Sequence, residues 1–211
     1  MANRYMNNSV LLYGASGHSK VICSVFESKN TPIHGVFDDN LFINKVTNLH
    51  FIGPYNPSYK PDLSLIISIG NNIIRRRIAT LIKHQFAIGV HSTAIIDKFV
   101  TFGDGTVIMH NTIIQRDSLI GKHCIINTNA SIDHDCIIND FVHISPSATL
   151  CGNVKVGEGS HIGAGATIIP NIHIGKWCVI GAGAVITKDI PDYSLVVGVP
   201  GKIIKTLKNE F

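Results

Sequence analysis

A small α/β unit of Rossmann-like type, followed by a parallel β-helix of hexapeptide repeats, is the fold class that this sequence predicts. Three observations predict it. Short apolar runs alternate with helix-like segments up to about residue 86; from Val90 to Ile186 every sixth residue is bulky and apolar; and the residue two places before each of these is small or β-branched. The expected division gives residues 1–86 to the α/β unit and residues 87–211 to the repeats and a C-terminal cap.

In the first part, Ser9 to Tyr13 reads as a buried strand, Gly14-Ala15-Ser16-Gly17 as a sharp turn, and His18 to Lys29 as a helix with the apolar stripe Val21, Ile22, Val25 and Phe26. A second strand, Ile33 to Phe37, ends in Asp38-Asp39-Asn40. A third, Leu63 to Ile69, ends in Gly70-Asn71-Asn72, after which Ile73, Ile74, Ile78, Ala79 and Ile82 mark a helix. Such alternation implies a parallel sheet whose ligands sit at the strand ends. Residues 14–18 can turn backbone N–H groups toward an anion at a helix start. Asp38 and Gly70-Asn71 stand at the same opening, as in a nucleotide-like site, although ordinary turns of an α/β domain use the same residue types. The turn is not a full G-x-G-x-x-G and does not indicate a nicotinamide dinucleotide.

In the repeats, the bulky residue and its small predecessor project to the same side of a short strand. Three strands close a triangular coil of about 18 residues, and coils stack about 4.8 Å apart. Glycine follows the bulky residue at Gly103, Gly121, Gly157, Gly163, Gly175 and Gly181, where a tight corner is expected to need unusual backbone angles. Stacking places His143 under His161, and Arg116, His134 and Gly152 in another column. It also separates Cys124 from Cys178 by three coils, too far for a disulfide. After Ile186 the period breaks, and Val196 to Lys202 reads as a strand and turn that cap the last coil.

Charged residues make up 15% of the chain, against roughly 25% in an average domain. Lys plus Arg is 18 and Asp plus Glu is 14, with the basic residues scattered apart from Arg75-Arg76-Arg77, so a nucleic-acid groove is not expected. No run approaches a membrane-spanning length, and Arg4 is followed by Asn7 and Asn8 rather than an apolar core, so neither membrane insertion nor an export signal is expected. The five cysteines form no C-x-x-C pair and suit a reducing cytoplasm.

Titratable residues concentrate in Ile132-Asp133-His134-Asp135-Cys136, with His143 half a coil later. A histidine beside a carboxylate can act as a general base near neutral pH. Spacing alone leaves His134 open to being a turn or interface histidine. His91, His110, His123 and His173 read as corner or interface residues, Cys151 as a packing residue, and no metal site is expected.

Taken together, Leu12-Tyr13-Gly14-Ala15-Ser16-Gly17-His18, Phe37-Asp38-Asp39, Ile132 to Cys136, His143-Ile144-Ser145-Pro146, Leu150-Cys151-Gly152-Asn153-Val154 and Gly198-Val199-Pro200-Gly201-Lys202 carry a family resemblance. The chain resembles the bacterial sugar acyltransferases that include nucleotide-aminosugar N-acetyltransferases and sialic-acid O-acetyltransferases, within the left-handed β-helix superfamily. The resemblance implies left-handed coils, a homotrimer with active sites between neighbouring solenoids, and acetyl-CoA as co-substrate. It implies that His134 is the general base, Asp135 its orienting carboxylate, and His143 a residue near both acetyl and acceptor groups. Gly152 would leave room for the thioester, Gly165, Ala182 and Gly183 would offer cofactor contacts, and Lys188 would meet a cofactor phosphate. Gly14, Gly17 and His18 would face the phosphates of a nucleotide sugar and Asp38 and Asp39 its nucleoside. The implied reaction is direct N-acetylation of a UDP- or GDP-linked amino sugar for bacterial polysaccharide or glycoprotein synthesis, with sialic-acid or other sugar O-acetylation as the alternative.

Overall fold

The computed structural model describes residues 9–41 and 48–207. Arg4, Asn7 and Asn8, on which the reading of the N-terminus rests, lie outside the described residues.

The first unit is built on β1 (Val10–Tyr13), whose four residues are all buried. After it come α1 (Gly17–Glu27), β2 (Ile33–Phe37), β3 (Phe51–Gly53), β4 (Ser64–Ile67) and α2 (Asn72–Leu81). The sheet is parallel, in the order β3-β2-β1-β4. The sequence reading has no counterpart of β3, which is three residues long and shows no alternation. Its approach explains Gly35 of β2, where a Cβ would meet the Ile52 side chain at 2.8 Å and the His50 carbonyl oxygen at 2.9 Å.

α1 buries Ile22, Val25 and Phe26 in a cluster with Val10, Leu12 and Ile66. The same cluster contains Val107, Met109 and Ile125 of the repeats. These three side chains point outward from the solenoid and are buried there, so one solenoid face completes the core of the α/β unit. Arg75, almost wholly buried at 1% exposure, lies at the same junction.

The solenoid runs in two-residue strands from β5 (Gly89–Val90) to β21 (Val185–Ile186). Each pairs in parallel with the strand one coil away, as in Ile126↔Ile144 and Ile144↔Ile162. Three flat faces result. The first carries Ile126, Ile144 and Ile162; the second Ile132, Leu150 and Ile168; the third Ile120, Ile138 and Val156. From Ile108 to Ile186 the bulky residues form one buried column, whereas Val90, Ile96 and Phe102 in the first coil are only partly covered. The small inner positions also carry hydroxyls without penalty. Thr106, Ser118 and Ser160 donate to the carbonyls of Gly121, Asp133 and Gly175 at 2.7–2.8 Å and accept the N–H groups of Cys124, Cys136 and Cys178.

The expected role of the corner glycines is corrected. Left-handed backbone occurs three residues after the bulky residue, at Asn111, Asp117, His123, Asn129, Asp135, Phe141 and their successors, with φ between 53° and 62° at those six. Gly103, Gly121, Gly157, Gly163, Gly175 and Gly181 are not among these positions. They are glycines because the next coil passes too close: a Cβ on Gly157 would meet the Gly175 carbonyl carbon and the Lys176 nitrogen at 2.5 Å. In the column Gly105, His123, Phe141, Gly159, Trp177 the rings lie over their neighbours. His123 and Phe141 stack at 5.0 Å, and Cβ atoms on Gly105 and Gly159 would strike His123 and Trp177.

At the end of the stack, β22 (Ser194–Val197) pairs in parallel with Val179–Ile180 and antiparallel with β23 (Lys202–Thr206). This hairpin, longer than the strand and turn expected from sequence, covers the last open ladder of the first face.

Candidate active site

His134 stands at the corner between the second and third solenoid faces, two residues after the buried Ile132. Its imidazole is more than half exposed, at 58%. Nδ1 lies 2.7 Å from Oδ2 of Asp135, which fixes the tautomer: Nδ1–H donates to the carboxylate and the Nε2 lone pair is left outward. Asp133 Oδ1 accepts the His134 backbone N–H at 2.8 Å and lies 3.9 Å from Nε2. The hydrogen bond to Asp135, reinforced by the charge of Asp133, raises the His134 pKa above the ordinary histidine value. Asp135 holds its place because it occupies a left-handed corner, φ 60°, which Asp tolerates better than most residues.

One coil further on, Gly152 is buried against this ring. A Cβ there would meet His134 Cε1 at 2.7 Å and Nε2 at 2.8 Å, so any other residue would close the reactive edge of the imidazole. Lys188 continues the same column, exposed. Gly165 and Gly183 occupy a different corner, between the first and second faces, with left-handed φ of 65° and 68° and open space where a Cβ would be. Ala182 is exposed beside them. Of the residues expected to hold acetyl-CoA, Gly165 and Gly183 leave open backbone while Gly152 is buried, and the five lie on two edges of the prism.

A cleft of about 350 Å³ lies where the end of β4 meets the first solenoid face. It is lined by Gly70, Asn71, Asn72, His143, Gly159 and His161, among others. The rings of His143 and His161 stack at 4.7 Å and 4°. Asn127 Nδ2 contacts His143 Nε2 at 3.1 Å, and Ser145 Oγ contacts His161 Nε2 at 2.7 Å. His143 Nδ1 faces the Gly70 backbone without completing a hydrogen bond, and His18 Nε2 is also buried without a partner. Burial holds His143 down at about 2 and His18 at about 4, so both rings are neutral. Two neutral imidazoles, each with a buried nitrogen left unpaired, thus lie beside the first turns of the two helices.

At the other strand ends, Asp38 accepts the Ala15 N–H at 2.8 Å and the Asn40 N–H at 2.9 Å. It thus fastens the loop after β1 to the end of β2. Asp39 accepts the Tyr13 hydroxyl at 2.5 Å. A Cβ on Gly14, φ 108°, would strike Ile69 at 2.7 Å, while Gly17 opens α1 with free space around it. Of the expected acceptor residues, Gly70, Asn71 and His143 line the cleft, with His18 against Gly70, while Gly14, Gly17, Asp38 and Asp39 lie at the neighbouring strand ends. His134 and Asp135 stand on the corner opposite the face that carries the cleft. Sequence reading placed His161 in one column with His143 but gave it no part in the site, and it missed Asn72 and Arg75. His161 sits one coil above His143, which was a signal available in the repeat register. The two α2 residues gave none, because their partners are solenoid backbone carbonyls. Among the described residues, no cluster of His, Cys, Asp or Glu able to hold a metal ion is found.

Residues 9–82 match the family of the PglD N-terminal domain, and residues 153–188 match the bacterial transferase hexapeptide family of six repeats. PerB from Caulobacter crescentus, solved in complex with CoA and GDP-perosamine, is 31% identical; the match covers 94% of this chain and 98% of PerB, with a TM-score of 0.88. The chain belongs to the bacterial hexapeptide-repeat acyltransferases. Within this family, the acetyltransferase domain of PglB from Neisseria gonorrhoeae is 34% identical, with 94% of this chain and 100% of that domain covered and a TM-score of 0.87. UDP-N-acetylbacillosamine N-acetyltransferase from Bacillus subtilis is 39% identical over 110 residues, which span 48% of this chain and 51% of that enzyme. The chain therefore matches about half the length of this curated relative. The coils are those of the left-handed β-helix of the family.

Proposed function

We propose that this acyltransferase moves an acetyl group from acetyl-CoA to the amino group of a nucleotide-linked amino sugar, with UDP or GDP as the nucleotide. The observation that carries the reading is the His134–Asp135 pair at 2.7 Å, whose outward Nε2 is kept clear by Gly152. Its support comes from relatives of nearly full overlap. PerB was solved with CoA and GDP-perosamine, and the gonococcal PglB domain with acetyl coenzyme A. Acetyl-CoA supplies the activated thioester. The chain's own residues do the rest: Nε2 of His134 takes the proton as the amine bonds to the thioester carbonyl carbon, Asp135 stabilises the imidazolium so formed, and the proton passes to the CoA thiolate released when the C–S bond breaks. No side-chain nucleophile is needed, and the transfer is direct.

The acceptor lies in the cleft of Gly70, Asn71 and His143, its phosphates toward Gly14, Gly17 and His18 at the start of α1 and its nucleoside toward Asp38 and Asp39. Gly152, Gly165, Ala182, Gly183 and Lys188 serve the cofactor, and His143 stands near both ligands. Because His134 stands on the corner away from its own cleft, the complete site lies between copies, in a homotrimer. The five free thiols suit the cytoplasm.

The test is a panel of UDP- and GDP-linked 4-amino sugars with acetyl-CoA, read by release of CoA thiol and by product mass. The expected result is an acetylated amino sugar nucleotide. Turnover of free sialic acid, with none on the panel, would replace this reading with O-acetylation.

A further inference from the structure

The run Arg75-Arg76-Arg77, the densest basic stretch in the sequence, takes no part in the chemistry above. Its first member is the largest fully buried side chain among the described residues. A buried guanidinium normally needs a carboxylate, because an unpaired charge removed from water is costly. Among the described residues, Arg75 has none in contact. Instead all five of its N–H donors end on neutral oxygens. Nε donates to the carbonyl of His123 at 2.8 Å, and Nη1 to those of Ile69 and Gly70 at 3.1 Å. Nη2 donates to Asn72 Oδ1 at 2.8 Å and to the carbonyl of Phe141 at 2.9 Å. Asn72 extends the grip by donating from Nδ2 to the carbonyls of Gly159 and Ser160 at 2.9 and 3.3 Å. Two of the oxygens held by Arg75 belong to the loop that lines the cleft, and two belong to successive solenoid corners.

We propose that Arg75, with Asn72, is a positioning residue that rivets the Gly70 loop to three successive coils and so sets the height of the acceptor cleft above His143 and His161. The inference rests on the reading of this cleft as the acceptor site. The five-donor fork explains why arginine is required: lysine has three donors on one nitrogen and cannot span oxygens from both units. Outside the cleft, Arg76 adds a surface latch, lying over the Trp177 ring at 5.3 Å and 3.3 Å from Glu158.

Three variants test it: Arg75→Met, Arg75→Lys and Asn72→Ala. In Arg75→Met the KM for the nucleotide sugar rises at least about tenfold, while kcat changes less than about threefold and the Kd of acetyl-CoA, by calorimetry, less than about twofold. Arg75→Lys recovers part of the loss, and Asn72→Ala shows a smaller rise of about threefold. Independently of any substrate, amide hydrogen exchange over residues 68–75 speeds up in each variant relative to the rest of the chain. If Arg75→Met is insoluble, the other two carry both readouts. Unchanged KM with unchanged exchange, or kcat, both affinities and thermal midpoint falling together, overturns the proposal. Should the wild-type protein accept no nucleotide sugar, the functional reading fails while hydrogen exchange still decides the rivet.

Discussion

With Nδ1–H of His134 committed to Asp135, everything this imidazole does for a substrate it does through Nε2. The base works only when neutral, and its pKa is raised by the Asp135 hydrogen bond. Activity is therefore present above the raised midpoint and is lost as pH falls through it, on the alkaline side of the ordinary value near 6.5. In Asp135→Asn, a change the left-handed corner tolerates, the acid limb of kcat is expected to move to lower pH, with kcat down about tenfold. His134→Ala should lower kcat by about 10²-fold or more at all pH values with the oligomer intact. An acid limb in the same place in Asp135→Asn would remove the carboxylate from the mechanism. The His134 segment was legible because three titratable residues interrupt an otherwise sparse surface. The neutrality of His143 was not, since it comes from burial where the two units meet and from His161 and Arg75 nearby, none of which the local sequence shows.

Each coil solves two separate steric problems, and the glycines divide between them. Where the next coil's backbone lies against the residue, as at Gly157, a methyl group has nowhere to go. Where the chain turns with left-handed φ but faces open space, as at Gly165, only the backbone preference matters. Gly157→Ala should therefore cost up to about 3 kcal/mol, whereas Gly165→Ala costs about 1 kcal/mol. Gly165→Asn should stay within about 0.5 kcal/mol, as Asn111 and Asn129 already fill that column. Thermal midpoints of the three variants check the order, and Gly157→Ala ranking as the mildest would refute the assignment. The repeat itself was readable because a bulky residue every six places is a one-dimensional signal. The function of each glycine was not, because it depends on the coil above.

Across the whole molecule, His134 and the Gly70 cleft sit on opposite sides of one prism, so the proposed function requires a site shared between copies. Gly70→Tyr should block the cleft, since a side chain there points at the His18 ring. Alone, Gly70→Tyr and His134→Ala should each be inactive. Co-expressed in equal amounts, they should recover about a quarter of wild-type activity, because a quarter of the shared sites draw an intact base from one chain and an intact cleft from its neighbour. Activity no higher than the sum of the separate variants would place base and cleft in the same chain.

By itself the sequence determined the two-part architecture, the register of the stack and the candidate base, since periodicity and local residue clusters survive in one dimension. Only the tertiary structure decided which solenoid face receives the α/β unit, through the outward Val107, Met109 and Ile125. It also turned Asp38 into a loop fastener and buried Arg75 among carbonyls from three parts of the chain. These arrangements depend on backbone oxygens and N–H groups, which every residue carries alike and which therefore leave no mark in the order of side chains.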